Sequence, residues 1–354
     1  MTSFTLSERS ESKGFRLSTL LVVALLAAAG CTADDDDAGP ENYFTWGVTT
    51  PLSGGARQET AVVTVDFDNV YVLGGFDESI TVVDDVTRVG VTPAGVAPLP
   101  VPMHHANAGV ADGKIWVLGF LTGLDFAADG RVFSYDPATD VWAEGPSMPL
   151  GTERGASGVA YDDEGDIYVV GGLRDSAAVA DVSRFTPALT GTGGTWTGLT
   201  DLPAPRDHLV AGMIDGTVFA AGGRNTVITS HVPELLEFDP TGAGTWVARA
   251  SMPTSRGGAA GAVWGGRLWV IGGEGNGDDP SGVFPQVEAY DPLLDKWESM
   301  PPMLTPRHGT GAGADSGEGN NGIIVPGGAD QQAFGAVDTV EILYYHCPND
   351  CPGE

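Results

Sequence analysis

The sequence predicts an all-β protein built from about six copies of one small antiparallel sheet. Short apolar strands that end in two glycines recur along the chain, at intervals of about fifty residues. The 354 residues include 52 glycines, and 42% of them are hydrophobic. This composition suits many short strands joined by tight turns, and it excludes a disordered chain, which would lack the apolar residues for a core.

The repeat is visible in the first glycine of each copy. These glycines fall at residues 74, 119, 171, 222, 272 and 327, and the copy at 119 has phenylalanine in place of its second glycine. The fifth copy shows the whole unit, with strands at 258–263, 267–273 and 286–290 and a fourth around Trp297. The Gly-Gly pair between its first two strands suits the positive φ angles of a two-residue hairpin. Each copy is therefore predicted to form one four-stranded sheet.

A third-strand aromatic residue and a fourth-strand tryptophan keep a regular spacing. Tyr135 precedes Trp142 by the same seven positions that separate Tyr290 from Trp297. Such rings bury large areas and are expected to lie between neighbouring sheets. The double glycine, this spacing and the period together resemble the kelch repeat over roughly residues 44–345. The resemblance implies an all-β, six-bladed kelch-type β-propeller with four strands in each blade.

The last copy ends without a tryptophan-bearing strand and supplies only three strands, at 310–314, 322–327 and 337–344. The segment 43–48, which contains Trp46, has the form of the missing fourth strand. We therefore expect the N-terminal strand to complete the last blade and hide both open sheet edges. The predicted propeller spans residues 43–345, and a tail follows at 346–354.

The three cysteines lie outside the repeats, at residues 31, 347 and 351. We expect Cys347 and Cys351 to form a disulfide that pins the tail. A metal site with His346 is the alternative, but the sequence offers it no further ligand. Copper enzymes of the galactose oxidase type share the propeller fold and need a cysteine cross-linked to a tyrosine. Residues 32–346 contain no cysteine, so that cofactor is excluded, and the sequence predicts no cofactor or metal.

Residues 1–30 have the form of an export signal. Three basic residues within 9–16 precede an apolar run that is too short to span a membrane comfortably. The run closes as LAAAGC at 26–31, which resembles a bacterial lipobox and implies lipidation of Cys31. Ala28 departs from that motif, because leucine is usual at its position. Cleavage without lipidation, which would give a secreted protein, is the alternative.

Residues 31–42 are predicted to be an acidic linker between anchor and propeller. The four adjacent carboxylates of Asp34–Asp37 repel one another, which indicates a solvated tether rather than a calcium site. Thr32 after the cysteine resembles the sorting signal for the outer membrane. We therefore predict an exported monomer anchored to the outer membrane or cell surface through Cys31. A periplasmic or secreted protein is the alternative.

The charge of the chain limits its partners. Its 47 acidic and 17 basic residues give a net charge of −30, which repels phosphate backbones and excludes nucleic acid. The acidic segments 162–166 and 275–279 lack the ligand spacing of known calcium loops, so no calcium site is predicted there.

The candidate site residues lie where kelch propellers carry their channel-mouth positions. Five arginines share one repeat position just before the first strand of a blade: Arg57, Arg154, Arg206, Arg256 and Arg307. His104 and His105 fill that place in the second blade, His308 adjoins the last arginine, and Arg224 and Glu274 follow double glycines. One interpretation is a positive ring that binds carboxylates. The other is a structural arginine that bonds blade carbonyls or a neighbouring acid. For His104 and His105 we expect surface loop positions rather than a catalytic base.

These observations predict a noncatalytic binding or scaffold module that contacts a protein or carbohydrate ligand through loops at the channel mouth. The alternative is a carbohydrate-active enzyme, because the chain also resembles exported six-bladed mutarotases of sialic acid. That resemblance implies an acid–base role for Glu274 beside an arginine. The loop 275–285 contains no arginine, however, and an ordinary loop carboxylate is the other interpretation of Glu274.

Overall fold

The computed structural model describes residues 42–66, 69–90, 96–161, 165–188, 190–242, 244–317 and 320–347. Within these ranges the chain forms 25 β-strands and no α-helix. Accordingly, this part of the chain contains no helix of the length and hydropathy that a membrane crossing requires. Cys31 and Cys351 lie outside the described residues, as do the predicted signal and linker, so the lipidation and disulfide remain predictions.

The strands follow the predicted order of units. The chain begins with β1 (Tyr43–Val48). The first blade contains β2 (Ala61–Val65), β3 (Asn69–Leu73) and β4 (Val86–Arg88). The second contains β5 (Ala108–Ala111), β6 (Lys114–Thr122), β7 (Ala127–Asp136) and β8 (Val141–Gly145). The third contains β9 (Gly158–Tyr161), β10 (Ile167–Val170), β11 (Leu173–Arg174), β12 (Ala177–Ala178), β13 (Val182–Pro187) and β14 (Gly194–Gly198).

The remaining blades repeat the pattern. The fourth contains β15 (Val210–Ile214), β16 (Thr217–Ala221), β17 (Leu235–Phe238) and β18 (Trp246–Arg249). The fifth contains β19 (Ala260–Trp264), β20 (Arg267–Ile271), β21 (Val287–Asp291) and β22 (Lys296–Met300). The sixth contains β23 (Gly313–Gly317), β24 (Asn320–Pro326) and β25 (Val340–His346).

Within a blade, consecutive strands pair antiparallel, as in the order β19-β20-β21-β22, and β11 and β12 form a small separate hairpin. The first strand of each blade contacts the first strands of the neighbouring blades, so these six strands surround the axis of a six-bladed propeller. The predicted fold class is confirmed.

The closure of the last blade is also confirmed. Strand β1 pairs antiparallel with β25, and the sheet has the order β1-β25-β24-β23. Trp46 lies opposite Leu343, and its Nε1 donates a hydrogen bond to the carbonyl oxygen of Pro301 at 2.8 Å. Because Pro301 belongs to the exit of blade five, the N-terminal strand both completes blade six and holds it against its neighbour.

The core lies between the blades. The fourth-strand tryptophans repeat the contact of Trp46, since each donates its indole N–H to a carbonyl in the exit segment of the preceding blade at 2.7–3.0 Å: Trp142, Trp196, Trp246 and Trp297. Apolar residues fill the space beneath them, among them Trp269, which is fully buried. The regular spacing of the tryptophans in the sequence therefore reflects a packing contact that is repeated between neighbouring blades.

The double glycines explain how the blades approach one another near the axis. Gly272 and Gly273 have φ angles of +66° and +118°, and a Cβ on Gly272 would lie 2.2 Å from the carbonyl oxygen of Arg307 in the next blade. The N–H of Gly273 donates to that same oxygen at 3.0 Å. A larger residue at 272 would therefore break an inter-blade contact.

Candidate functional site

Six residues, one from each blade, form a closed ring of backbone hydrogen bonds around the propeller axis. Each lies just before the first strand of its blade, and each has a left-handed φ angle between 50° and 66°. We call them the axial ring: Glu59, His105, Ala156, His208, Gly258 and Gly309. The N–H of each donates to the carbonyl oxygen of the preceding member, and Glu59 closes the circle with Gly309. The ring holds its six positions in a fixed geometry at one mouth of the channel.

The channel itself runs between the first strands of the blades. It has a volume of about 430 Å³, and small or apolar side chains such as Ala108, Ala211 and Val263 line it. At the axial ring it meets a smaller cavity of about 110 Å³, which Glu59, His105 and His208 line. These three large ring members therefore lie where the channel meets the smaller cavity.

The three side chains converge on one point. Nε2 of His105 lies 3.0 Å from Nε2 of His208 and 3.0 Å from Oε2 of Glu59. The ligating atoms of all three lie within 4.8 Å of one another. At least 90% of each of the three side chains is buried. Such a group is able to bind a cation, since imidazole nitrogens and a carboxylate oxygen are common metal ligands.

Each histidine of this group is held through its other ring nitrogen. Asp207 accepts a hydrogen bond from Nδ1 of His208 at 2.5 Å. His104 lies 2.6 Å from His105 through their two Nδ1 atoms, while Nε2 of His104 lies 2.9 Å from the carbonyl oxygen of Gly123. A carbonyl only accepts, so Nε2 of neutral His104 carries the proton and its Nδ1 accepts from Nδ1 of His105. Neutral His208 therefore directs an unprotonated Nε2 toward the centre, where it lies 3.2 Å from Nη2 of Arg224. Nε2 of His105 faces the carboxylate of Glu59.

An ion-pair network flanks the group on the side of blades four and five. Arg224 pairs with Glu274, and its Nε donates to Asp207 at 3.1 Å. Nη2 of Arg224 also lies 3.2 Å from Nε2 of His208. Oε2 of Glu274 accepts from the backbone N–H of Ala333 at 3.3 Å. The side chains of Arg224, Glu274, Asp207 and His208 therefore all have hydrogen-bond or ion-pair partners within the protein.

The sixth blade contributes His308, which lies beside both glutamates. Nε2 of His308 lies 3.0 Å from the carbonyl oxygen of Gln331 and so carries the proton of the neutral ring. Nδ1 has no hydrogen-bond partner, and it lies 3.6 Å from Oε1 of Glu59 and 3.7 Å from Oε2 of Glu274. A fully buried polar atom thus stands next to two carboxylates without a bond of its own.

Burial and neighbouring charges set the ionisation of these groups. Burial alone would raise the pKa of Glu59, but the charge and hydrogen bond of His105 help to hold that pKa well below its ordinary value. Burial, together with His105, lowers the pKa of His104 to about 3. Burial and the charge of Arg224 lower the pKa of His208, against the opposing effect of Asp207. Glu59 is therefore ionised at neutral pH, and His104 and His208 are neutral.

The five repeated arginines do not form a positive ring that faces solvent. Arg154 is fully buried and donates to the carbonyl oxygens of Gly171, Val169 and Thr152 of its own blade at 2.8–3.0 Å. The other four are at most 8% exposed and bond carbonyl oxygens, carboxylates or both: Arg57, Arg206, Arg256 and Arg307. These contacts favour the structural interpretation, because each guanidinium is buried and bonds groups within the protein.

The histidines differ from the sequence expectation. His104 and His308 are fully buried and His105 is 8% exposed, so the expected surface loop positions of His104 and His105 are wrong. His104 pairs with Leu121 in the second blade as Asp207 pairs with Arg224 in the fourth blade. His104 is therefore equivalent to Asp207, and Met103, not a histidine, takes the place of the repeated arginine. The two histidines are thereby shifted inward, against the channel.

Glu274 is likewise not an ordinary loop carboxylate, since it is 2% exposed. Its partner is Arg224, which lies at the same repeat position in the preceding blade. The arginine beside Glu274 therefore comes from a neighbouring blade and not from the loop 275–285. Sequence reasoning missed Glu59 altogether. Counting two residues on from each repeated arginine, and from Met103, would have listed Glu59, His105 and His208 together.

The chain is similar to known proteins along most of its length. A family model described as Kelch motif matches residues 255–304. Over 334 residues the chain is 35% identical to Kelch-like protein terF of Aspergillus terreus, and the match covers 88% of this chain and 70% of that protein. It is 29% identical to beta-scruin of Limulus polyphemus over 59% of the chain, but it spans only 24% of beta-scruin. A solved structure of YjhT superposes with a TM-score of 0.65 at 14% identity, covering 84% of this chain and 99% of that one.

Proposed function

Because the chain belongs to the family of kelch-like proteins, we propose that it is a binding module whose ligand is a protein that docks on the mouth face. We define the mouth face as the loops that join second to third strands within a blade and fourth to first strands between blades. All of these loops end beside the axial ring. Kelch propellers generally bind proteins, and rigid blades that present variable loops are suited to this task.

The main support for a protein-binding function is the exposure of apolar side chains on these loops. Large apolar residues are exposed on loops of several blades, with exposed fractions of 39–97%: Ile80, Leu124, Leu150, Val227, Leu304 and Phe334. Single exposed apolar residues are normal on a protein surface. They recur on mouth-face loops of five blades, whereas on the opposite face the third-to-fourth-strand turns expose Val141, Leu293 and Leu294. The presence of such residues around the mouth supports a contact surface there. The strongly acidic chain favours a partner with a basic surface.

A pair of leucines on opposite faces provides a matched test. Leu124 lies on the mouth face and is 66% exposed, whereas Leu293 lies in the turn between β21 and β22 on the opposite face and is 89% exposed. A photoreactive amino acid is placed at either position and irradiated in cells of the source organism. We expect a discrete protein adduct from position 124 and none from position 293. Equal adducts from both positions, or adducts only with glycan, would contradict the proposal.

We also propose that the module is exported and anchored to the cell envelope through a lipid on Cys31. The basic residues, the apolar run and the LAAAGC sequence within residues 9–31 support this proposal. Several acyl chains on one residue would hold the protein firmly at a membrane. A protein released by ordinary cleavage into the periplasm or medium remains the alternative.

The Arg224–Glu274 pair is the one observation that favours the mutarotase or epimerase alternative. It joins a glutamate and an arginine at the channel mouth, as that activity would require. Both groups are nevertheless engaged by protein partners, and Glu274 is 2% exposed. NMR exchange between sialic-acid anomers tests the alternative directly. Exchange that the protein accelerates, and that Glu274→Gln abolishes, would replace the binding-only function with catalysis.

A further inference from the structure

We propose that the propeller axis carries a binding site for one divalent transition-metal ion, with Glu59, His105 and His208 as its ligands. The site goes beyond the binding function proposed above and does not depend on it. Its remaining coordination positions open onto the channel, where water or a small anionic ligand completes the shell.

The spacing of the donor atoms fits a metal ion. Two ligand atoms that each lie about 2.1 Å from one metal are about 3.0 Å apart when they subtend a right angle. Nε2 of His105 lies 3.0 Å from both Nε2 of His208 and Oε2 of Glu59. Both donor pairs that include His105 therefore have the spacing of neighbouring ligands on one metal ion. Two imidazoles and a carboxylate suit ions such as Fe²⁺, Co²⁺ and Zn²⁺.

The arrangement of hydrogen-bonding groups suits a cation at the centre. The carboxylate of Glu59 only accepts, and the bond from Nδ1 of His208 to Asp207 leaves Nε2 of neutral His208 as an acceptor. A metal ion would replace the proton that Nε2 of His105 shares with its neighbours. The histidine Nδ1 bonds to Asp207 and His104 are also the bonds by which proteins orient metal-binding imidazoles.

The charge of the cluster points the same way. Three buried carboxylates, those of Glu59, Asp207 and Glu274, share one guanidinium, that of Arg224. An excess of buried carboxylates is costly. A divalent cation at the centre would offset that excess. Arg224 keeps its bonds to Glu274 and Asp207 while releasing only its contact with Nε2 of His208.

The axial ring provides the space for such an ion. The three ring members that are not ligands are Ala156, Gly258 and Gly309, whose side chains are too small to reach the centre. A Cβ on Gly309 would lie 2.7 Å from Oε1 of Glu59, so glycine there leaves room for the carboxylate. Glu59 and the two histidines hold left-handed φ angles of 50–55°, which non-glycine residues adopt at a cost and which concentrate at functional positions.

The test is a metal titration of the purified full chain after removal of bound ions by a chelator. Co²⁺ is the probe, because its visible absorption reports nitrogen ligation. The chain is strongly acidic and binds cations loosely at its surface, so the titration is run in about 0.5 M NaCl with excess Mg²⁺ to screen those contacts. We expect one Co²⁺ per chain, displaced by Zn²⁺. His208→Ala and Glu59→Gln are each expected to weaken binding by more than about 100-fold.

His231→Ala is the matched control, since the His231 ring contacts Ser255 and the carbonyl oxygen of Gly275 rather than any of the three ligands, and it is expected to bind Co²⁺ like the wild type. Asp207→Asn serves as the positioning variant if a ligand variant fails to fold, with an expected loss of about 10- to 100-fold and unchanged stoichiometry. The proposal is overturned if the wild type shows no stoichiometric site, if His208→Ala or Asp207→Asn binds as tightly as the wild type, or if His231→Ala loses binding equally.

Discussion

Replacing Arg256 with methionine is expected to destabilise the propeller strongly without changing its surface. Arg256 is 1% exposed and donates to the carbonyl oxygens of Gly272, Val270 and Thr254 at 2.7–2.9 Å. It also donates to Oε2 of Glu288 at 2.6 Å, and Glu288 is 2% exposed. The methionine would leave a buried carboxylate without its cation and three carbonyl oxygens with fewer donors. Removing one member of a buried ion pair costs about 3–5 kcal/mol, and we expect a loss of about 4 kcal/mol.

The assay is urea unfolding followed by tryptophan fluorescence. Arg249→Met is the control, because Arg249 makes a similar 2.7 Å bond to Glu237 at the surface, where such pairs contribute about 1 kcal/mol or less. The double variant Arg256→Met, Glu288→Gln is expected to recover part of the loss, since no unpaired charge is then buried. A change of less than about 1 kcal/mol for Arg256→Met would refute the structural role of the repeated arginines.

Further predictions concern the ring closure, the pH dependence of stability and the anchor. Trp46→Ala removes the inter-blade bond of β1 and is expected to cost about 3 kcal/mol in urea unfolding, whereas an unchanged midpoint would contradict closure by this strand. The pKa of Asp295 lies below its ordinary value because its carboxylate accepts the N–H of Ala250 and the O–H of Tyr290. The stability lost in Asp295→Ala is therefore expected in full at neutral pH and to shrink as the pH falls through that lowered pKa; a loss independent of pH would disprove this. Cys31→Ser is expected to move the protein from the membrane fraction to the soluble fraction of bacterial cells, and retention at the membrane would argue against the lipid anchor.

The parts of the fold that the sequence predicted correctly depend on regular spacing. Each blade repeats the same contacts, so double glycines and tryptophans recur at matching intervals, and the incomplete last unit indicated that Trp46 would close it. These features arise within one repeat or between adjacent repeats. They are therefore visible in a single sequence without knowledge of distances between remote segments.

The candidate site was harder to predict because its residues come from different blades. Glu59 and His208 lie about 150 positions apart along the chain, and only the closed ring brings their blades around one axis. The burial of His104 also had no local signal, since its segment has the composition of an ordinary loop. Arg224 was expected near the mouth, but its partner Glu274 comes from the next blade rather than from the same loop.

A crystal structure of the Co²⁺-loaded chain, with data collected at the cobalt absorption edge, tests the central claim most directly. We expect one strong anomalous peak on the propeller axis, within about 2.2 Å of Glu59 Oε2 and of Nε2 of His105 and His208. A map with no axial peak, or with peaks only at surface carboxylates, would show that the three residues do not form a metal site.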